Sequence, residues 1–319
     1  MRRKMCPSLR QPTRRIGPVT ICLALYKSDG NVAFMTTPTP FTVTESSNSL
    51  WRVTFHNPPL NLIDSVMIGE LNALFSQIEA SETVAVVVFD SADPDFFLAH
   101  YDIAEIANGD AEQVGIPPDQ PHPWLTTLAR LNTLPAVTIS SIRGRARGAG
   151  SEFVIATDLR FASREKAVLG QFEIGVGAIP GGGPASRLPA LVGRGRAFEI
   201  LFGGCDFDGD LAERYGYVNR AVPDAELDGF VDAFANRVSR FDVQAIRDIK
   251  KFVNLATLRP ENELAGQIDA FFAAVGRPAA VSAHEQLFAA GLQQRSDVEY
   301  NLGDWIGRLS RQSPTTTTS

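Results

Sequence analysis

The run Val-Ala-Val-Val-Val-Phe at 84–89 has no polar position in it. A half-buried strand alternates apolar with polar residues, so this one is predicted as a strand buried on both faces. It is far shorter than the ~20 apolar residues of a membrane span. "AVTISSI" (136–142) and "DLRFAS" (158–163) are predicted as further strands, and "LWRVTFH" (50–56) as one with alternating apolar positions. Helices are predicted between them. Asp64 reads as an N-cap, followed by Met67, Leu71, Leu74, Phe75 and Ile78 at helical spacing, and "NPPLNLI" before it as a proline-broken loop. Helices are expected near 122–133 and 149–157. Pro184 opens another, and Gly203–Gly204 closes the next. Beyond residue 225 the strand signals stop, and "ELDGFVDAFANRVSRF" and "VQAIRDIKKFVNLA" are amphipathic helices. The class is α/β. Periodicity by itself selects no topology.

The expected organisation is an extension over 1–34, a core with the active site over 35–224, a helical region over 225–310 and a polar tail over 311–319. The extension carries seven Lys or Arg and no acid before Asp29. It is read as disordered or as preceding the native start, Met35 opening a natural beginning; an organellar transit peptide is the alternative. At 44% hydrophobic and 21% charged residues the chain is an ordinary globular protein, and its net charge of -6 argues against nucleic acid as a partner. Cys6, Cys22 and Cys205 form neither a metal-ligand spacing nor a disulfide framework. A reducing, cytoplasmic setting follows, with neither membrane nor metal expected.

The chemistry concentrates in the middle. There is no G-x-S-x-G elbow, no H-E-x-x-H and no phosphate-binding G-x-x-x-x-G-K-[ST], and the histidines are His56, His100, His122 and His284 alone. "RGRARGAGSEFVIATDLRF" (143–161) reads as a strand, a flexible turn and a helix that begins near Ala149. Unpaired N–H groups at a helix start favour a negatively charged oxygen. Glu152 lies in the first turn of that helix. Glu173 follows in the apolar, glycine-rich "LGQFEIGVGAIPGGG" (169–183). Each acid alone has a plain structural role, Glu152 in the helix dipole and Glu173 on a surface loop. Together with the helix start they form a possible oxyanion and two-carboxylate site.

Residues 134–188, "LPAVTISSIRGRARGAGSEFVIATDLRFASREKAVLGQFEIGVGAIPGGGPASRL", closely resemble the central segment of the enoyl-CoA hydratase/isomerase (crotonase) superfamily. The resemblance spans roughly 50–255, including "HNPPLNLID", "FFLAHYDIAEI" and "DLAERYGYVNRAVP". It implies a spiral of ββα units with a C-terminal helical oligomerisation region, assembled as a homotrimer or a dimer of trimers. It also implies an acyl-CoA thioester as substrate, with no further cofactor. Two backbone N–H groups would polarise the thioester oxygen, here those of Tyr101 and Ala149. Glu152 would deprotonate the added water, and Glu173 would supply the proton to the α-carbon. Ala99, His100, Asp102, Gly148 and Gly175 would contact substrate. Both acids together favour hydration of a trans-2-enoyl-CoA to a 3-hydroxyacyl-CoA. Δ3–Δ2 isomerisation, thioester hydrolysis, decarboxylation and non-catalytic acyl-CoA binding stay open.

The match departs at His100 and Tyr101, where the family has a glycine and a small residue, and at Ala149 in place of a glycine. A left-handed backbone at His100 would carry a cost. Asp102 is expected to cap the helix that follows. Arg143, Arg145 and Arg147 are read as a solvated basic loop, with CoA phosphates as the alternative partner. Gly175 and Gly177 are expected to let the backbone pass close to the acyl group, and Phe271, Phe272 and Phe288 to be core or trimer contacts; the resemblance also implies that a C-terminal helix can cover part of the acyl pocket.

Overall fold

The computed structural model describes residues 14–15, 39–107, 122–258 and 262–309. The expected tail lies outside them, as does most of the extension. Within the extension only Arg14–Arg15 (β1) is described, pairing with Thr44 and Glu45.

Strands β2 (Phe41–Ser47) and β3 (Leu50–Phe55) form an antiparallel hairpin. β4 (Val86–Ser91), β6 (Val137–Ile142), β8 (Leu159–Ser163) and β11 (Arg220–Val222) then extend the sheet in parallel. The seven-stranded order is β1-β2-β3-β4-β6-β8-β11. A second sheet takes the intervening strands β5 (Phe96–Leu98), β7 (Arg145–Arg147), β9 (Val168–Gly170) and β10 (Phe207–Asp208), in the order β10-β9-β7-β5. After the hairpin the chain thus visits the large sheet, then the small one, then a helix, three times over.

The run at 84–89 is buried for the reason its composition implies. Val84, Val87 and Phe89 join the core on one face of the large sheet, with the Ser65–Ala80 helix. Ala85, Val86 and Val88 join the other, with Leu227, Val231 and Ala235 of the Leu227–Val238 helix and Ile246 of the Val243–Thr257 helix. The four expected strands are all present. β2, β11 and the strands of the small sheet are additions; all but β2 are two or three residues long, too short to carry a period. Asp64 caps its helix as expected, accepting the Met67 N–H at 2.7 Å.

Phe153 anchors the Ala149–Ala156 helix. Its ring meets Phe55 edge-on at 5.6 Å and Phe89 at 5.1 Å, so the helix start is set against the parallel strands. At Gly150 an added Cβ would lie 1.9 Å from the Leu98 carbonyl oxygen, so only glycine lets this helix approach the end of β5. The C-terminal helices Asn262–Val275, Pro278–Ala290, Asp297–Tyr300 and Leu302–Arg308 close over this region, burying Leu287, Val298, Leu302 and Ile306 against Phe172 and Val176. Among the described residues no helix is long and apolar enough to cross a membrane.

Candidate active site

The ends of β5, β7 and β9 lie side by side in the small sheet, and the chain leaving each supplies one part of a shared site. After β5 comes Tyr101. Its preceding peptide has its carbonyl, that of His100, bound by the Ile63 N–H at 2.9 Å. A trans peptide points its N–H the opposite way, so the Tyr101 N–H faces away from Ile63. After β7 comes Gly148, at φ +49, a left-handed turn that suits glycine. A Cβ there would also lie 2.9 Å from both Glu173 Oε1 and the Phe172 ring. Ala149 is the first residue of its helix. Among the described residues, neither the Tyr101 nor the Ala149 N–H donates to a protein acceptor. After β9 comes Glu173, which opens a short 3-10 turn, Glu173–Val176.

A cavity of about 560 Å3 is walled by His100, Tyr101, Gly148, Ala149, Phe172, Glu173, Phe271, Phe272 and Phe288, among others. A smaller one of about 50 Å3 adjoins it, bounded by Tyr101, Trp124, Ala149, Glu152, Glu173 and Gly182. Room for a water takes only about 10–15 Å3, and two carboxylates give it acceptors. Tyr101, Ala149, Glu173, Phe271 and Phe272 line both, so the two spaces are one site.

The two acids are buried, Glu152 at 3% exposure and Glu173 at 7%. Glu152 Oε2 accepts from Trp124 Nε1 at 2.7 Å, and Oε1 from the Gly182 N–H at 2.7 Å. A Cβ on Gly182 would lie 2.1 Å from Oε2, so the peptide reaches the carboxylate only as glycine. Burial pushes the Glu152 pKa up, opposed by these two hydrogen bonds and by the Arg187 charge. Glu173 is pushed up to about 8, by burial first and then by the charge of Glu152. Gln171, with its amide nitrogen toward Glu173, donates to both carboxylate oxygens at 3.2 Å and accepts from Ser151 Oγ at 3.1 Å. The short bonds and the nearby cation belong to Glu152, so one proton shared by the pair resides on Glu173.

The structure brings together Tyr101, Ala149, Glu152, Glu173, His100 and Gly148. Ala99, Asp102 and Gly175 stand elsewhere. Ala99 is buried in a separate cluster with Leu60, Leu62 and Phe96. Asp102 caps the Ile103–Ala107 helix, accepting the Ala104 N–H at 2.9 Å, and accepts Gln293 Nε2 at 2.8 Å. A Cβ on Gly175 would meet Ile306 at 2.6 Å, and one on Gly177 would touch Ala280. Gly175 thus admits the C-terminal helix that carries Ile306, while Gly177 is set by its left-handed backbone at φ +76. Neither His100 nor Ala149 adopts a left-handed backbone; in this loop that conformation belongs to Gly148.

The basic segment is not a solvated loop. Arg143 pairs with Asp224 at 2.7 Å, and Arg145 lies over the Tyr300 ring. Arg147 is buried and pairs with Asp206 at 2.6 Å. Phe271, Phe272 and Phe288 are cavity wall. Trp124 and Gly182, which hold the Glu152 carboxylate, were not anticipated from the sequence. The glycine triplet at 181–183 was a signal for the second; nothing local marked the first.

The sequence model for "Enoyl-CoA hydratase/isomerase" matches residues 45–276. The chain belongs to the enoyl-CoA hydratase/isomerase family. The short-chain-enoyl-CoA hydratase of Clostridium acetobutylicum is 30% identical over 216 residues, 66% of this chain and 80% of that protein. Among solved structures, a "putative enoyl-CoA hydratase" from Streptomyces avermitilis is 41% identical with a TM-score of 0.80, covering 87% of this chain and all of its own. An enoyl-CoA hydratase from Bacillus anthracis is 25% identical with a TM-score of 0.64, over 78% of this chain and 96% of that one. The crotonase fold expected from the resemblance is therefore this chain's fold.

Proposed function

We propose that this family member is a hydro-lyase that adds water to a trans-2-enoyl-CoA to give the 3-hydroxyacyl-CoA. The observation that carries the reading is the pair of acids in unlike settings around a water-sized cavity. Glu152 accepts from Trp124 and Gly182 and lies near Arg187, all of which favour its ionised form against the opposing push of burial, while Glu173, pushed up to about 8, keeps a proton. The thioester oxygen would accept from the Tyr101 and Ala149 N–H groups, and the acyl chain would lie along the phenylalanine wall. Water in the smaller cavity gives a proton to Glu152 as its oxygen bonds to the β-carbon. The double-bond electrons move toward the thioester oxygen, and the enolate is held by the two N–H groups. Glu173 then protonates the α-carbon. The product has gained one water, and the proton left on Glu152 replaces the one lost from Glu173 once the pair re-equilibrates. Every step uses side chains and peptide groups of this chain.

Loss of enoyl-thioester absorbance from crotonyl-CoA tests the reading. Glu152→Gln and Glu173→Gln should each lower kcat by about two to four orders of magnitude. Wild-type rates in both variants would sink the hydratase assignment.

We also propose that the chain assembles as a homotrimer or a dimer of trimers. The exposed side chains of Phe252 and Leu255 and the stacked Phe198–Phe202 pair support an apolar contact with further copies.

A further inference from the structure

The geometry points to Glu299 as the positioning residue of the two-N–H site: its carboxylate holds the Tyr101 loop through His100, and its carbonyl holds the Ala149 loop through Arg147. The inference rests on reading those N–H groups as the seat of the thioester oxygen.

Glu299 lies in the Asp297–Tyr300 helix and is fully buried, as is His100 but for 1%. His100 Nε2 is 2.9 Å from Glu299 Oε1, and Nδ1 is 2.7 Å from the Tyr101 carbonyl oxygen. The peptide carbonyl cannot donate, so Nδ1 carries a proton. Against the cost of burial, His100, the Gln293 N–H and Arg147 hold Glu299 toward its ionised form, which cannot donate either, so Nε2 carries a proton too and the ring is an imidazolium. Burial opposes that charge, but the Glu299 carboxylate and the two hydrogen bonds hold the His100 pKa above its ordinary value. The same oxygen of Glu299 accepts the Gln293 N–H at 2.7 Å, while its buried Oε2 has no hydrogen-bond partner among the described residues.

On the other side, Arg147 Nη1 donates to the Glu299 carbonyl oxygen at 2.7 Å while Asp206 takes Nε and Nη2. The Arg147 N–H reaches the Ala99 carbonyl at 3.0 Å, tying the two loops together. Each residue gripped by Glu299 stands one or two positions before a proposed donor. A buried pair of charges is expensive to desolvate and is weak evidence of stabilisation. Its placement gives it another use: it fixes two peptides from two separate strands relative to each other, and it sets a positive ring in the cavity wall beside the oxygen that becomes negative.

Infrared difference spectra of bound [1-13C]octanoyl-CoA, which has no double bond to hydrate, test this. Wild type should displace the carbonyl band to lower wavenumber. Glu299→Gln should lose about half of that displacement or more. On crotonyl-CoA its kcat should fall about 10- to 100-fold with KM within about threefold, as for an interaction made in the transition state. His100→Gln should lose the same displacement, and the double variant no more than either, because both act as one unit. The double variant replaces the ion pair with two neutral amides and carries the measurement if Glu299→Gln alone does not fold. A Glu299→Gln spectrum matching wild type, or additive losses in the double variant, overturns the inference alone. An unmoved band in wild type overturns the two-N–H reading and the inference with it.

Discussion

Glu152 and Glu173 border one small cavity, yet only the first has strong donors and a nearby guanidinium. That asymmetry has a thermodynamic signature. Glu173 titrates near 4.3 when unfolded and at about 8 in the fold, so folding favours its neutral form. The stability it contributes is complete below about pH 4 and is lost as pH rises through 8. Glu173→Gln, permanently neutral, should match wild type in thermal denaturation near pH 4. Above pH 8 it should exceed wild type by roughly a few kcal/mol, although it is nearly inactive. The wild-type rate of hydration should fall on the alkaline side as the same proton leaves. An equal stability difference at both pH values would mean that Glu173 is not held neutral. The identities and order of the two acids were legible in the sequence, because their family pattern is local. Their division of labour came from the resemblance, and its physical basis was not legible. It depends on Trp124 and Gly182, which meet Glu152 only after folding, from 28 and 30 positions away.

Among the elements, the Ala149–Ala156 helix matters most, since its start carries Ala149 and its first turn Glu152. Two residues fix its seat: Phe153 among the aromatic rings, and Gly150 against the Leu98 carbonyl. Phe153→Ala should cost about 3–5 kcal/mol in denaturant unfolding, as a fully buried aromatic leaves a cavity. Gly150→Ala must push the helix away from β5 and should cost about 1–3 kcal/mol. Its loss in kcat should be larger than that of Phe153→Ala, because the two N–H groups move apart. The long strands and this helix could be read from apolar period and capping residues. The fate of the arginines could not: Arg147 finds Asp206 and Glu299 at separations of 59 and 152, where local sequence shows only alternating small and basic residues. The amphipathic C-terminal helices likewise announced a buried face, and the resemblance a helix over the acyl pocket, but not that Phe271, Phe272 and Phe288 are the side chains that face the cavity.

At the scale of the molecule, the large sheet and its helices form a base, and the C-terminal helices cover the site from above. The base leaves apolar side chains outside, with Phe252 67% and Leu255 73% exposed. Sedimentation should find an oligomer in wild type, and Phe252→Asp with Leu255→Asp should shift it to smaller species. If the double variant sediments as wild type does, this face is not the contact. The alternation between two sheets also has a bearing on descent. Tyr101, Ala149 and Glu173 each stand two or three residues past the end of a small-sheet strand, one for every turn of the spiral. A substitution in the third turn can therefore exchange the acid while the first two turns go on presenting their peptide groups. Such a scaffold can acquire a new reaction by changing one rung and inheriting the others.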